Sequence, residues 1–132
     1  MLEDQKEIKD KIPERKFWSK IKKAAKSGGA SLIYAALLMY YAFRRKETPT
    51  WAKAAILGAI AYFLSPIDFI PDLTPVLGYT DDLAVLVTGL ITVGSHIDTD
   101  VRCKAKDKMA QWFDSEEIQN AIDAIDKKLA KL

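Results

Sequence analysis

Three nearly uninterrupted apolar runs, residues 30–43, 51–64 and about 81–97, dominate this 132-residue chain and limit what it can fold into. Ala-Ser-Leu-Ile-Tyr-Ala-Ala-Leu-Leu-Met-Tyr-Tyr-Ala-Phe over 30–43 has no polar face, which is the pattern of a helix surrounded by protein or by lipid. Trp51 to Leu64 carries Lys53 as its one charge. Sustained alternation of the kind a half-buried strand requires is absent throughout. The pattern therefore predicts an all-α fold: a compact helical bundle with a central apolar helical hairpin joined by a Pro/Asp-rich corner and flanked by amphipathic helices.

Charge is segregated along the chain. Residues 28–99 hold ten charged side chains, whereas the two flanks share the other 28. The N-terminal 27 residues are net +4, the centre is net −2 and the C-terminal flank is balanced, so the overall +2 conceals the division. One domain is expected, organised as a basic N-terminal segment (1–27), an apolar core (28–99) and amphipathic C-terminal helices (100–132). The near-balance argues against a nucleic-acid partner. No apolar h-region precedes the first helix, so no cleavable leader is expected.

Local signals place the helices. Phe17, Trp18, Ile21, Ala24 and Ala25 recur at helical spacing over 14–26, with lysines on the remaining surface, and Ser27-Gly28-Gly29 ends that helix. Lys16, Trp18, Lys20, Lys22, Lys23 and Lys26 are the candidate membrane-surface contacts, as a basic amphipathic helix suits anionic lipid. Thr48-Pro49 reads as an N-cap and first-turn pair for the second apolar helix, and Thr80 as the N-cap of the third, with Asp81 and Asp82 in its first turn. Two amphipathic helices, near 99–113 and 116–131, close the chain.

Between the second and third apolar helices runs Leu64-Ser-Pro-Ile-Asp-Phe-Ile-Pro-Asp-Leu-Thr-Pro-Val-Leu-Gly-Tyr-Thr-Asp-Asp-Leu83. Ser65, Pro66 and Asp68 form a capping-box set for a short turn, Pro71 stops it, Pro75 stiffens the return, and Gly78 tolerates positive φ before the next helix. This ordered succession resembles the signature of the YkvA-like family, domain of unknown function 1232, most densely over 64–86. The resemblance implies a small, often membrane-annotated helical protein and supplies no reaction, ligand or catalytic residue. Ser65, Pro66, Asp68, Pro71, Asp72, Pro75, Gly78, Tyr79, Asp81 and Asp82 are thus the signature residues, structural or functional.

Asp68, Asp72, Asp81 and Asp82 also raise a hard-cation site, because carboxylates suit calcium and magnesium; helix capping and turn formation are the favoured account, and no metal or cofactor is assigned. His96, Asp98 and Asp100 invite the same question, with the same preference: His96 in a last helical turn and Asp98 or Thr99 as the next cap. Cys103, the lone cysteine, lies between Arg102 and Lys104, neighbours that can lower a thiol pKa, and it is read as ordinary. A catalytic constellation around a single histidine is not assembled, so no enzyme is expected.

The apolar runs are shorter than the roughly 20 residues a membrane-spanning helix needs, yet the basic stretches on either side of an acidic corner follow the positive-inside pattern. The expectation is a non-enzymatic membrane-associated scaffold or adaptor. Spanning, lying in and avoiding the membrane are all open to the apolar helices; if the hairpin spans, Tyr79 and Lys106 fall on opposite sides with both flanks cytoplasmic. The partners are lipid and also a protein or a second copy. A cation- or proton-linked role of the aspartate corner and a soluble interaction module are the alternatives.

Overall fold

The structure, a computed structural model, describes residues 12–64 and 75–130, with backbone alone over 75–83. Six α-helices follow one another among these residues: α1 (Glu14–Lys26), α2 (Ala30–Arg44), α3 (Thr50–Leu64), α4 (Pro75–Thr92), α5 (Thr99–Met109) and α6 (Ser115–Ala130), with a 3₁₀ turn at Gly94–His96. The all-α expectation holds.

α2 is the axis of the bundle, and each of the other five helices packs against it. Eleven of its 15 residues are buried, including Leu37, Leu38 and Met39 at no exposure, so its lack of a polar face is answered by protein on every side. α3 and α4 pack as a pair on one flank. Their seam is close because small residues meet there: a Cβ added at Gly89 would lie 3.2 Å from Ala59 Cβ and 2.5 Å from Met39 Cε.

The helix ends follow local chemistry. α1 stops in a Schellman motif: the Gly29 amide donates to Ala24 O (2.9 Å), the Gly28 amide donates to Ala25 O (3.2 Å), and Gly28 takes φ +76°. α5 starts at Asp98, whose Oδ1 accepts from the Val101 amide at 2.9 Å. α6 starts with a reciprocal box: Asp114 Oδ1 accepts from the Glu117 amide (2.8 Å) and Glu117 Oε1 from the Asp114 amide (3.2 Å).

Three expectations are corrected. Thr48 does not cap α3: its hydroxyl turns back to donate to Ala42 O at 2.7 Å, occupying a carbonyl near the end of α2, and Pro49 O accepts the first bond of α3 instead. α4 begins at Pro75 rather than near Asp81. Proline lacks only an amide that the first turn leaves unpaired, so the helix nucleates there and runs through Gly78 and Thr80. Asp81 and Asp82 thereby fall beyond the first turn, where the helix dipole is felt less.

The spanning hairpin is the third. Among the described residues no helix is long and apolar enough to cross a membrane. At 1.5 Å per residue, α3 covers about 22 Å and α4 about 27 Å, against a hydrocarbon core of about 30 Å.

Candidate functional site

The two sides of α1 have different work. Towards α5, Trp18 is half-buried in an aromatic cluster: Phe17 stacks on Tyr40 (4.9 Å between centroids), Trp18 meets Tyr40 edge-on (5.1 Å), and Lys108 Nζ lies 4.8 Å from the Trp18 ring. Glu14 gathers the polar tips of this cluster, accepting from the Tyr40 hydroxyl at 2.7 Å and from Trp18 Nε1 at 3.1 Å, with Arg44 at 3.7 Å. Burial first, and the Glu14 carboxylate second, push the Tyr40 phenol up to about 12. Trp18 is therefore occupied with holding α1 to α2 and α5.

Towards α3, Lys20 Nζ donates to the Phe63 carbonyl and sits 4.6 Å from the Phe63 ring, so a cation satisfies a carbonyl in the last turn of α3. This contact fixes which edge of α1 faces the hairpin. Lys16 and Lys23, four residues before and three after, share that edge by helical period and are exposed. Lys22 and Lys26 are exposed further round α1.

α3 has an inward and an outward side. Buried Ala52, Ile56, Ala59, Ile60 and Phe63 face the bundle, while Trp51, Ala54, Gly58, Ala61 and Tyr62 face away from it. Trp51 is 55% exposed and Tyr62 46%. Lys53 leans towards the Phe43 ring, 6.0 Å away, and leaves this stripe without a charge. α4 extends the surface with exposed Ala84, Thr88, Ile91 and Thr92. Its threonines turn inward: Thr88 Oγ1 donates to Ala84 O and Thr92 Oγ1 to Thr88 O, each at 2.9 Å. With the hydroxyls bonded to their own helix, the polar capacity of this face is largely spent.

Of the signature residues, Ser65, Pro66, Asp68, Pro71 and Asp72 lie outside the described residues. Pro75, Gly78, Tyr79, Asp81 and Asp82 are placed by backbone alone within α4. The His96 cluster is divided by other partnerships. His96 lies in the 3₁₀ turn with its ring 5.7 Å from that of Trp51, and Asp100 pairs with Lys104 at 3.2 Å. Asp98 caps α5 and accepts from Arg45 Nε at 2.9 Å; the Val101 amide first, then Arg45, hold its carboxyl below the usual range. Among the described residues no three His, Cys, Asp or Glu side chains are grouped to hold a metal. Cys103 is exposed.

Fold and surface together define an all-α bundle with one enclosed helix and one open helical hairpin. Residues 52–88, from the first turn of α3 to well inside α4, match the family model described as protein of unknown function (DUF1232), so the hairpin carries the family segment that the Pro/Asp corner resembles. Comparison with curated proteins and with solved structures gives no match.

Proposed function

We propose that the protein is a non-enzymatic helical adaptor that docks on an anionic membrane surface, laying the open face of α3 and α4 into the interfacial zone and its α1 lysines among the headgroups. The observation that carries this reading is the uncharged exposed stripe of α3, with Trp51 and Tyr62 at its two ends, on a bundle whose exposed Lys16 and Lys23 share an α1 edge with Lys20, the residue that reaches the last turn of α3. Tryptophan and tyrosine suit the boundary between headgroup and acyl chain, and inward-bonded threonines lower the cost of leaving water. The attachment is interfacial and spans nothing.

Co-sedimentation with vesicles tests it. Binding to phosphatidylserine-containing vesicles should exceed binding to pure phosphatidylcholine and weaken with salt. Each lysine near such a surface contributes about 1 kcal/mol, so Lys16→Glu with Lys23→Glu should lower the partition constant by about tenfold or more. Brominated lipid should quench emission in the protein and less in Trp51→Phe. Absence of binding at low salt, or binding indifferent to both the lysines and Trp51, would refute the reading.

A further inference from the structure

On the opposite side of α4 from its seam with α3, a cleft of about 260 Å³ opens where α2, α4, α5 and α6 converge. Leu38, Leu90, Ile91, Ile97 and Leu129 line it together with Gly94, and Arg102 is its one charged wall. Two partners hold the guanidinium in place: its Nη1 donates to the Tyr34 hydroxyl at 3.2 Å and to Asp126 Oδ1 at 3.1 Å. Tyr34 is 1% exposed and rooted in the second turn of α2, which makes it a rigid support. Both of these bonds leave from the same nitrogen. An arginine carries five N–H donors, so Nε and Nη2 offer a further acceptor the planar pair of donors that matches a carboxylate.

We infer that this cleft binds a short, unbranched aliphatic carboxylate, its head on Arg102 and its chain along Ile91, Ile97 and Leu129, above the buried floor of Leu38 and Leu90. The chemistry of the walls selects that class. One guanidinium, already shared with Asp126, suits a singly charged head better than a phosphate, and the other lining residues offer only hydrocarbon or backbone. The size selects the length: small-molecule sites commonly enclose roughly 300–1,000 Å³, and this cleft falls just below that range. Only Ile91 is shared with the open face of α3 and α4, and the inference does not depend on the membrane reading.

Calorimetric titration with octanoate below its micelle concentration, beside octanol and acetate, tests the inference, with methyl NMR locating the ligand. Octanoate should bind about tenfold or more tightly than either control, since octanol lacks the charge and acetate the chain. Shifts should concentrate on the methyls of Ile91, Ile97 and Leu129. Arg102→Gln should reduce octanoate to the affinity of octanol. Gly94→Leu provides a blocking variant independent of Arg102, because Gly94 lines the cleft and a Cβ there meets nothing within 4 Å, so a bulky side chain is accommodated at its wall. Circular dichroism confirms folding of each variant, and vesicle binding by Gly94→Leu should be unchanged. No saturable octanoate binding, equal affinity for octanol, or binding unaffected by Gly94→Leu would overturn the inference.

Discussion

α2 and α3 are written in almost the same alphabet and end in different surroundings. Both have 15 residues rich in alanine, leucine, isoleucine and aromatics, yet eleven are buried in α2 and five in α3. The difference is one of neighbours: α2 is packed against all five other helices, whereas α3 leaves Trp51, Ala54, Gly58 and Tyr62 exposed. A helix without a polar face is therefore a statement about demand for cover. It does not say whether that cover comes from the same chain.

The strongest way to break this comparison is to truncate a side chain on each helix. Leu37, at no exposure in the middle of α2, should cost about 2–5 kcal/mol when changed to alanine, through lost burial and the cavity left behind. Chemical denaturation would measure it. A cost below 1 kcal/mol would mean that α2 is not the enclosed axis described above.

The seam that fixes the open helix comes next. Gly89 admits α3 and α4 to close approach, and any larger side chain there must displace Ala59 and the buried end of Met39. Gly89→Leu should lower stability by about 1–3 kcal/mol by overpacking, despite leucine's better helix propensity. An unchanged midpoint would show that the hairpin can part without penalty.

How much of this was legible beforehand depended on the range of the interaction. The end of α1 at Ser27-Gly28-Gly29 and the cap at Asp98 rest on neighbours within a few residues, and the local pattern identifies them. The Asp114-x-x-Glu117 box is equally local. Thr48-Pro49 carries a general start signal, yet the Thr48 hydroxyl serves a carbonyl six residues earlier, a partner the local pattern does not specify. Thr80-Asp81-Asp82 carries a cap signal too, but Pro75 offers an equally good start, and a helix once begun continues through a later cap signal. The open face of α3 and α4 and the Arg102 cleft depend on residues brought together from distant parts of the chain, such as Tyr34 and Arg102, separated by 68 positions. No periodicity reports such a meeting.

A smaller effect concerns the clasp between α1 and α2. Tyr40 and Glu14 are joined by a hydrogen bond that favours the neutral phenol, and the phenol's pKa of about 12 lies above its ordinary value near 10. Its contribution to stability is therefore complete below pH 10 and lost as pH rises towards 12. Tyr40→Phe should cost about 1 kcal/mol at neutral pH and flatten the stability profile over that alkaline interval. Urea denaturation of both forms between pH 8 and 11.5 would check it; parallel curves would remove Tyr40 as the source.

The smallest expected change in stability falls on the open face, and it separates cover from function. Trp51 and Tyr62 are about half exposed, so their truncation removes little burial, though Trp51 also gives up its edge contact with His96. Trp51→Ser and Tyr62→Ser should each shift unfolding by no more than about 0.5 kcal/mol. If the face is a membrane-docking surface, the same pair should markedly reduce retention on phosphatidylserine vesicles at high salt, where the lysines are screened and apolar contact dominates. Stability and retention must then diverge, with the fold intact and the attachment lost. Were both substitutions to destabilise the protein by several kcal/mol, these side chains would belong to its core, and α3 would be as enclosed as α2.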